Sequence, residues 1–415
     1  MLWLYNVLLT LLWPLLIFYR PFFGTLRLRL GKFPPGGYDA YGPGPRILVN
    51  AVSAGEVVAV APVIRELKRR RPGAQIALLT TTQSGQTMAR EKLGGELALL
   101  AYFPLVDLPF VVRRYLDRLR PQLYITTEAE LWPNIQSQAL QRGIPVALVN
   151  ARLYLHNKHG WRGSIVRRLY GLLDLIVCQD ERQRDNFLKF GIPAECLSVS
   201  GNTKFDFSLP DWSDQQLAEY RTRLLLRDEP LIVAGSTHQG EEELLLDALK
   251  AIRRRLPKAR LVIAPRRVER SGEVAALCPA DGFTARLLSE PPRDWDVLVV
   301  DSYGVLVDMY RLADAVVMGG TYHRKVGGHN LLEATLLGKP VVVGPETFGI
   351  TAQLELLRAA GGAVEARAAE LPAVLLHLLL DHARAKAIGE AARQATLANR
   401  GAAARAADAV LALLG

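Results

Sequence analysis

The chain has 415 residues, of which 50% are hydrophobic and 22% charged. It is too long for one ordinary core and too apolar for an intrinsically disordered protein, so we expect two globular domains with additional segments. The formal net charge of +10 suits a partner rich in phosphate, such as anionic lipid, a nucleotide-linked substrate or nucleic acid. The three cysteines, Cys178, Cys196 and Cys278, lie far apart, which argues against a disulfide framework and a zinc cluster.

The first segment of the chain is apolar and uncharged from residue 2 to residue 19. As a helix it would extend over roughly 27 Å, close to the thickness of a bilayer core. It lacks the features of a cleaved signal peptide, and basic residues follow it: Arg20, Arg27, Arg29 and Lys32. We therefore predict a membrane anchor with a basic flank over residues 1–32, with the bulk of the protein cytoplasmic and held at the inner face of the membrane. Pro14 would kink a helix, so the sequence leaves open whether the anchor spans the membrane or lies in its interface.

After a linker rich in proline and glycine, apolar segments alternate with helical patterns. The first series predicts strands at residues 46–52, 75–82, 123–127, 145–150, 175–179 and 197–201. A polar segment then separates it from a second series, with strands at residues 231–235, 260–265, 297–301, 315–319 and 340–344. Strands that are nearly continuous apolar runs indicate parallel sheets covered by helices on both faces.

The predicted fold class is therefore α/β, with two tandem Rossmann-like doubly wound domains and an amino-terminal membrane-anchor helix. We expect the first domain at residues 33–207, a linker at 208–227, and the second domain at 228–415, ending in helices packed on its outside. One helix of the second domain, predicted at residues 241–256, has an acidic first turn and a basic last turn, as the helix dipole favours. In such sheets ligands bind outside the carboxyl ends of the strands.

A glycine-rich stretch at residues 319–333 follows one of these strands and precedes a helical pattern. Glycine pairs allow backbone N–H groups to approach an anion, and the first turn of a helix adds further donors, so this layout predicts an anion site. His329 and Asn330 would lie at the start of the helix, after Arg324 and Lys325. Asn330 and Glu333 also have the spacing of a capping box, which needs no ligand.

Acidic residues follow two strands of the first domain. Glu56 lies at the turn from the first strand to its helix, where it is either a favourable first-turn carboxylate or a base that meets an acceptor hydroxyl. Glu128 and Glu130 follow a buried strand and must face the cleft expected between the two domains or a cation, because burying an unpaired charge is costly. If one of them caps the next helix, where Pro133 is near the first position, the other is a site candidate.

Polar and basic residues also follow other strands. Ser236, Thr237 and His238 end one strand, Lys204 lies at the end of the first series, and Arg266 and Arg267 end a third strand. Each group is explained either by turn chemistry or by a binding loop, and arginine matches phosphate or carboxylate oxygens.

The sequence lacks a phosphate-binding loop with a Lys-Ser/Thr ending, a paired His-Glu zinc motif and a Gly-x-Ser-x-Gly motif, which favours a mechanism without a metal.

Several motifs occur in a specific order along the chain. They are Ser53-Ala54-Gly55-Glu56, Thr127-Glu128-Ala129-Glu130-Leu131-Trp132-Pro133, Gly201-Asn202-Thr203-Lys204-Phe205-Asp206, Ser236-Thr237-His238 with Gly240-Glu241, Ala264-Pro265-Arg266, and Gly327-Gly328-His329-Asn330-Leu331-Leu332-Glu333. Together they resemble the motifs of the 3-deoxy-D-manno-octulosonic acid (Kdo) transferases of lipopolysaccharide synthesis. The resemblance covers most of the chain. It implies a glycosyltransferase-B fold and transfer of Kdo, with inversion, from CMP-Kdo to a lipid A precursor (lipid IVA).

The resemblance also implies roles for individual residues. Glu56 matches the proposed general base, and Glu128 matches a second carboxylate needed for activity. The CMP-sugar site would consist of the following residues: Ser236, Thr237, His238, Arg266, Gly327, Gly328, His329, Asn330 and Glu333. Lys204 and Arg324 are candidates to hold the sugar carboxylate or an acceptor phosphate. Arg267 stands where the family usually has histidine, which leaves its role open.

The same resemblance implies the partners of the protein. They would be CMP-Kdo, the lipid A precursor and inner-membrane lipid, with no nucleic acid, no cofactor and no metal. Two alternatives remain from the residues alone: a two-domain enzyme that uses a UDP-sugar, and a membrane-bound scaffold that binds anionic lipid without chemistry.

Overall fold

The computed structural model describes residues 2–12, 25–30, 44–153 and 160–415. The chain divides into two compact units. The first consists of Met1–Phe207 together with Asn399–Gly415, and the second of Ser208–Ala398. Each unit is built around one parallel sheet of seven strands, so the predicted α/β class with two doubly wound sheets is confirmed.

The sheet of the first unit contains strands β1 to β7, in the order β3-β2-β1-β4-β5-β6-β7. Their bounds are β1 Arg46–Asn50, β2 Gln75–Thr80, β3 Leu99–Tyr102, β4 Leu123–Thr127, β5 Val146–Ala151, β6 Leu175–Cys178 and β7 Leu197–Val199. The helices in this part of the chain are α1 Leu2–Leu12, α2 Leu26–Arg29, α3 Ala54–Arg70, α4 Gln83–Leu93, α5 Pro109–Leu119, α6 Pro133–Gln141, α7 Gly160–Tyr170 and α8 Glu181–Lys189.

The sheet of the second unit has the order β10-β11-β9-β8-β12-β13-β14. Its strands are β8 Leu231–Thr237, β9 Arg260–Pro265, β10 Ala285–Leu287, β11 Val297–Val299, β12 Ala315–Met318, β13 Val341–Val343 and β14 Ala363–Glu365. Its helices are α9 Asp214–Arg223, α10 Glu241–Arg253, α11 Ser271–Leu277, α12 Leu306–Leu312, α13 Leu332–Leu336, α14 Thr351–Ala359, α15 Leu371–Leu380 and α16 His382–Ala398. A last helix, α17, runs over Ala402–Leu411 and belongs to the first unit.

Both faces of each sheet are buried, because alternate residues of each strand enter different hydrophobic clusters. In β1, Ile47 and Val49 pack with the apolar side of α3, whereas Leu48 packs on the opposite face with α5 and α6. Apolar residues of α3 recur at the spacing of a helix face, as Val57, Val60, Ile64 and Leu67 show. This double burial explains why the central strands read as continuous apolar runs in the sequence.

The predicted linker at residues 208–227 differs from the structure, which places a helix there. α9 begins with a capping box, in which the Ser213 hydroxyl accepts a hydrogen bond from the backbone N–H of Gln216 and the Gln216 side chain accepts one from the backbone N–H of Ser213. Leu217 and Tyr220 pack against a hydrophobic cluster of the second unit. The segment is polar because most of α9 faces solvent, so its composition alone resembled that of a linker.

The end of the chain also differs from the prediction that the second domain extends to residue 415. α17 packs against α3, where Ala403, Ala406, Ala407 and Val410 join the cluster on that face of the first sheet. Small side chains allow this helix to approach α3 closely. The Arg70 guanidinium reaches the carboxylate of Asp408 at 2.6 Å. The last helix therefore completes the core of the first unit.

Helix α1 covers part of the predicted anchor, and residues 13–24 and 31–43 lie outside the described residues. Within the described part of the chain, we find no helix with both the length and the hydropathy that a bilayer crossing needs. α1 packs on the first unit: the Tyr5 hydroxyl donates to Asp107 Oδ2 at 3.4 Å, and Asn134 Nδ2 donates to Asn6 Oδ1 at 2.6 Å. Its other side is apolar and exposed, through Trp3, Leu4, Leu8, Leu11 and Leu12.

We predict that Asp206 anchors the last helix. Its Oδ1 accepts from Gly401 N at 2.6 Å and its Oδ2 accepts from Ala403 N, so it satisfies two donors at the start of α17. Asp206→Ala should lower the free energy of unfolding by about 1–3 kcal/mol, the range for hydrogen bonds to a charged group. Urea denaturation of the variant measures this change.

The matched control for this prediction is Asp185→Ala, which removes a carboxylate from the exposed side of α8. It should change the unfolding midpoint little, as surface substitutions usually do. Equal shifts for the two variants would contradict a specific anchoring role for Asp206.

Candidate active site

The candidate residues of the first unit lie where the strand order of its sheet reverses. β1 and β4 are neighbours, and the helices that follow them, α3 and α6, pack on opposite faces of the sheet. The loops after these two strands therefore diverge, and the strand ends between them form the position where doubly wound sheets bind ligands. Glu56 follows β1 and Glu128 follows β4, so both lie at this edge, as the sequence predicted.

Glu56 is held in one orientation by three hydrogen bonds. Its Oε2 accepts from Val52 N at 2.6 Å and from Thr127 Oγ1 at 3.2 Å, and its Oε1 accepts from Ser53 Oγ at 3.2 Å. Burial raises the pKa of Glu56, the neighbouring charge of Glu128 raises it further, and the three hydrogen bonds oppose these effects. A carboxylate with a raised pKa that is fixed at a strand end suits a general base.

Glu128 is almost completely buried, with 5% of its surface exposed, and both of its oxygens are ion-paired. Oε1 lies 2.6 Å from Lys204 Nζ, and Oε2 lies 2.6 Å from a guanidinium nitrogen of Arg152. The backbone of Glu128 has φ +55°, a left-handed conformation that is unfavourable for a side chain of this size. The structure therefore holds this carboxylate between two cations, at some conformational cost.

Glu130 does not cap the following helix, which corrects one of the alternatives for the two acids. The start of α6 is instead capped by the buried Asp107, whose Oδ2 accepts from Asn134 N at 2.7 Å and whose Oδ1 accepts from Ile135 N at 3.1 Å. Burial, followed by the charge of Glu56, raises the pKa of Glu130 to about 7. Glu56, Glu128 and Glu130 thus form one group of coupled carboxyl groups, which we call the acidic cluster.

The second unit repeats the arrangement at the reversal between β8 and β12. Three histidines meet at this edge, and we call them the histidine cluster: His238 after β8, and His323 and His329 after β12. The Nε2 atoms of His238 and His329 are 2.8 Å apart, a hydrogen bond that requires one of the two nitrogens to carry no proton. Burial and the charge of His238 lower the pKa of His329 to about 4, and burial and His323 lower that of His238.

The glycine-rich stretch forms the predicted loop between a strand and a helix, but the helix is short. α13 has five residues, and its N-cap is Leu331, so the predicted capping box of Asn330 and Glu333 is not formed. Asn330 Oδ1 instead accepts from Leu332 N at 3.2 Å. Burial, followed by the charge of Glu333, raises the pKa of Tyr310. So short a helix contributes little dipole, and the anion site cannot rest on it.

Glycine is needed in this loop because the chain packs against itself. Gly327 and Gly328 have φ of +77° and +95°, and a Cβ atom on Gly327 would lie 2.7 Å from Gly349 N. The loop meets the end of β8 as well, since a Cβ on Gly319 would lie 2.3 Å from the carbonyl oxygen of Ser236. Ser236 itself has a left-handed φ of +58°. The two loops therefore form one tightly packed surface.

Three arginines of the second unit follow strand ends: Arg266 and Arg267 after β9, and Arg324 after β12. Arg266 donates its backbone N–H to the Thr237 carbonyl at 2.9 Å, and its charge lowers the pKa of both His238 and His329. All three arginines are exposed. The structure thus brings Arg266 together with Ser236, Thr237, His238 and His329, and it places Arg324 in the exposed part of the loop.

Several residues that complete these clusters were not predicted. Arg152 directly follows the end of β5, and His323 lies within the glycine-rich loop, so the rule that polar residues at strand ends form sites would have found both. Thr127, the last residue of β4, gave no such signal because threonine is common in strands. Within the described ranges, no three histidine, cysteine or acidic side chains are arranged to hold a metal ion.

Two doubly wound sheets in tandem, each with polar loops at the reversal of its strand order, define an α/β protein of the glycosyltransferase-B type. Similar solved structures include UDP-GlcNAc 2-epimerase from Neisseria meningitidis, with a TM-score of 0.60, 16% identity, and coverage of 89% of this chain and 99% of that one. MurG from Acinetobacter baumannii has a TM-score of 0.52, 16% identity, and coverage of 89% and 99%. At such identities the likeness supports the fold alone.

The sequence comparisons identify the family. Residues 25–207 match the family model described as 3-Deoxy-D-manno-octulosonic-acid transferase (kdotransferase). The chain is 31% identical to the 3-deoxy-D-manno-octulosonic acid transferase of Haemophilus influenzae, covering 96% of this chain and 95% of the relative. It is 33% identical to that of Bordetella pertussis, covering 88% and 86%. The chain therefore belongs to the Kdo transferase family, enzymes that transfer a sugar in lipopolysaccharide biosynthesis, and the predicted resemblance is confirmed.

We predict that His329 makes the protein less stable in acid. Its pKa is about 4 in the folded protein and 6.5 in the reference state, so the unfolded chain binds more protons between these values. The free energy of unfolding should therefore fall as the pH falls from about 6.5 to about 4. In His329→Gln this fall should be smaller, which denaturant titrations across the pH range will measure.

The control for this prediction is His382→Gln, which removes an exposed histidine at the start of α16. It should keep the pH dependence of the parent. The assignment to His329 fails if His329→Gln loses stability between these pH values as steeply as the parent does.

Proposed function

We propose that this Kdo transferase takes Kdo from CMP-Kdo and attaches it to a hydroxyl of a lipid A precursor, with inversion at the anomeric carbon. The observation that carries the proposal is the fixed, partly buried carboxylate of Glu56 at the strand reversal of the first unit. The family assignment indicates that the transferred sugar is Kdo. The resemblance of the motifs indicates CMP-Kdo as the donor and a lipid A precursor as the acceptor.

In this mechanism Glu56 takes the proton of the acceptor hydroxyl as its oxygen attacks the anomeric carbon of Kdo. The new bond forms on the face opposite to CMP, and the bond between the anomeric carbon and the CMP phosphate oxygen breaks. CMP leaves with that electron pair. The hydrogen bonds from Val52, Ser53 and Thr127 keep the carboxylate in place, so no reorientation is needed when the proton moves.

Glu128 serves the reaction by holding two cations. Because its two oxygens are already paired with Lys204 and Arg152, it is poorly suited to take a proton from a substrate. The side chains of Lys204 and Arg152 are both partly exposed, so an anionic group can approach them. We assign this pair to an anionic group of a substrate, either the Kdo carboxylate or a phosphate of the acceptor.

The histidine cluster and Arg266 form the proposed CMP site in the second unit. Arg266 supplies the positive charge for the phosphate. The rings of His238 and His329, whose pKa values are lowered, are uncharged near neutral pH, so they can form hydrogen bonds to the donor without the cost of burying another charge. Gly327, Gly328, Ser236 and Thr237 shape the backbone around it, and Asn330 and Glu333 are proposed to contact the nucleoside, Glu333 at the ribose. Negative charge that develops on the departing CMP is stabilised by these fixed groups.

Two exposed surfaces of the first unit support membrane attachment, which we propose to be at the cytoplasmic face of the inner membrane. One is the apolar side of α1, where 75% of the Trp3 surface is exposed. The other is the exposed side of α5, which carries Phe110, Arg113, Arg114 and Arg118. An apolar helix face beside basic side chains suits a bilayer that contains anionic lipid.

We predict that Glu56→Gln loses Kdo transfer while it keeps the fold. Gln retains the shape of the side chain but cannot accept the proton, so the rate should fall by about 10²–10⁴-fold, the usual contribution of general base catalysis. The assay supplies lipid A precursor, Kdo, CTP and the enzyme that forms CMP-Kdo, and mass analysis of the lipid product measures transfer.

Glu66→Gln is the control, since Glu66 lies on the same helix but pairs with Arg69 and Arg70 away from the strand ends. It should transfer Kdo at the parent rate. The base assignment is rejected if Glu56→Gln also does so, and the donor assignment is rejected if the parent turns over only UDP-sugars.

A second prediction concerns the pH dependence of the reaction. The hydrogen bond from Thr127 lowers the pKa of Glu56, so Thr127→Val should raise that pKa. Because only the ionised carboxylate accepts a proton, the acid limb of the profile of kcat/KM against pH should move to higher pH. Thr126→Val is the matched control, because the hydroxyl of Thr126 donates to the Glu130 carbonyl instead. An unchanged acid limb in Thr127→Val would argue against Glu56 as the titrating group.

A further inference from the structure

Glu241 connects two loops that are far apart in the sequence. It is the first residue of α10, only 3% of its surface is exposed, and its carboxylate accepts three backbone hydrogen bonds. Oε2 accepts from His238 N at 2.9 Å and from Gly320 N at 2.8 Å, and Oε1 accepts from Tyr322 N at 2.9 Å. Charge-assisted bonds of this kind are among the stronger hydrogen bonds in proteins.

Helix capping accounts for only one of these three bonds. His238 precedes α10, so its N–H and the carboxylate form a local contact at the start of the helix. Gly320 and Tyr322 lie in the loop after β12, and their bonds to Glu241 span 79 and 81 residues. A carboxylate that only capped the helix would not need these two donors.

The contacts continue from Glu241 to the histidine cluster by two routes. On one side, His238 N is bound to the carboxylate and the His238 ring contacts His329 at 2.8 Å. On the other side, the Gly320 carbonyl accepts from Gly328 N at 2.9 Å, and Gly328 precedes His329 in the chain. The two routes close a ring, so the relative position of His238 and His329 depends on Glu241.

We infer that Glu241 is a positioning residue for the donor: it touches no substrate and fixes the two loops that bind the nucleotide. This inference rests on the proposed CMP site in the second unit. The N–H groups of Gly320 and Tyr322 donate to Glu241 and therefore do not bind the donor. The phosphate of the donor is bound by side chains such as that of Arg266. The loops are thereby held in the binding conformation before the donor arrives, and the donor does not have to order them.

Glu241→Gln tests this role with little change in shape. The glutamine amide has one acceptor oxygen, and its NH₂ group would face backbone N–H donors, so at least one of the three bonds is lost. The KM for CMP-Kdo should rise by about tenfold or more, the effect of losing one charge-assisted bond, whereas kcat should stay within about threefold. A variant that was only less stable would lose active enzyme and kcat, and it would keep the parent KM.

Glu243→Gln is the matched control, because it makes the same change of charge in the first turn of α10 at an exposed position. It should keep the parent KM. The inference is overturned if folded Glu241→Gln binds the donor with a KM within about twofold of the parent value, since the bonds would then not support binding.

Hydrogen exchange of the protein alone provides a second measurement that does not depend on turnover. In the parent, the amides of Gly320 and Tyr322 should be protected, and in Glu241→Gln the segment at residues 319–322 should exchange faster, unlike in Glu243→Gln. Rapid exchange of these amides in the parent would refute the inference even if the variant failed to fold. If the parent protected them but did not use CMP-Kdo, the proposed donor would be wrong and the positioning of the loops would stand.

Discussion

The reversal of strand order in each sheet is the constraint on which the rest of this structure depends. Between β1 and β4, and again between β8 and β12, successive helices pass to opposite faces, so the loops at the strand ends move apart. Charged and imidazole side chains gather there because a buried sheet offers no other place where they stay near water. The acidic cluster and the histidine cluster thus occupy equivalent positions in the two units.

The carboxylates in these places differ in what neutralises them, and this difference separates their roles. Glu128 is paired with two cations, and Glu241 accepts hydrogen bonds from three backbone N–H groups. Both carboxylates therefore hold other groups in position. Glu56 has hydrogen bonds from neutral groups alone, and burial and Glu128 raise its pKa. A negative charge stabilised by dipoles rather than by a cation keeps more of its basicity. Glu56, which accepts hydrogen bonds from neutral groups, is therefore better suited than the ion-paired Glu128 to remove a proton.

Most of both sheets could be predicted from the sequence, and the misses have a common cause. The central strands are buried on both faces and appear as apolar runs, whereas the three strands that were not predicted, β3, β10 and β14, lie at sheet edges and are only partly buried.

The polar residues that follow strands were found by their position in the sequence. The pairing of Arg152 with Glu128 and the bonds of Glu241 to Gly320 and Tyr322 were not predicted, because contacts across 24 or more residues are set by the packing of the sheet and leave no local pattern. The short α13 and the cap supplied by Asp107 likewise depend on tertiary contacts.

The return of α17 to the first unit has a consequence for how the protein is made. The residues of α3 leave the ribosome long before those of α17. In the folded protein, Ala403, Ala406, Ala407 and Val410 of α17 cover the apolar side of α3. At ordinary rates of translation, the interval between the end of the first sheet and the last helix is on the order of tens of seconds. During that interval the nascent chain lacks the helix that covers the apolar side of α3 in the folded protein.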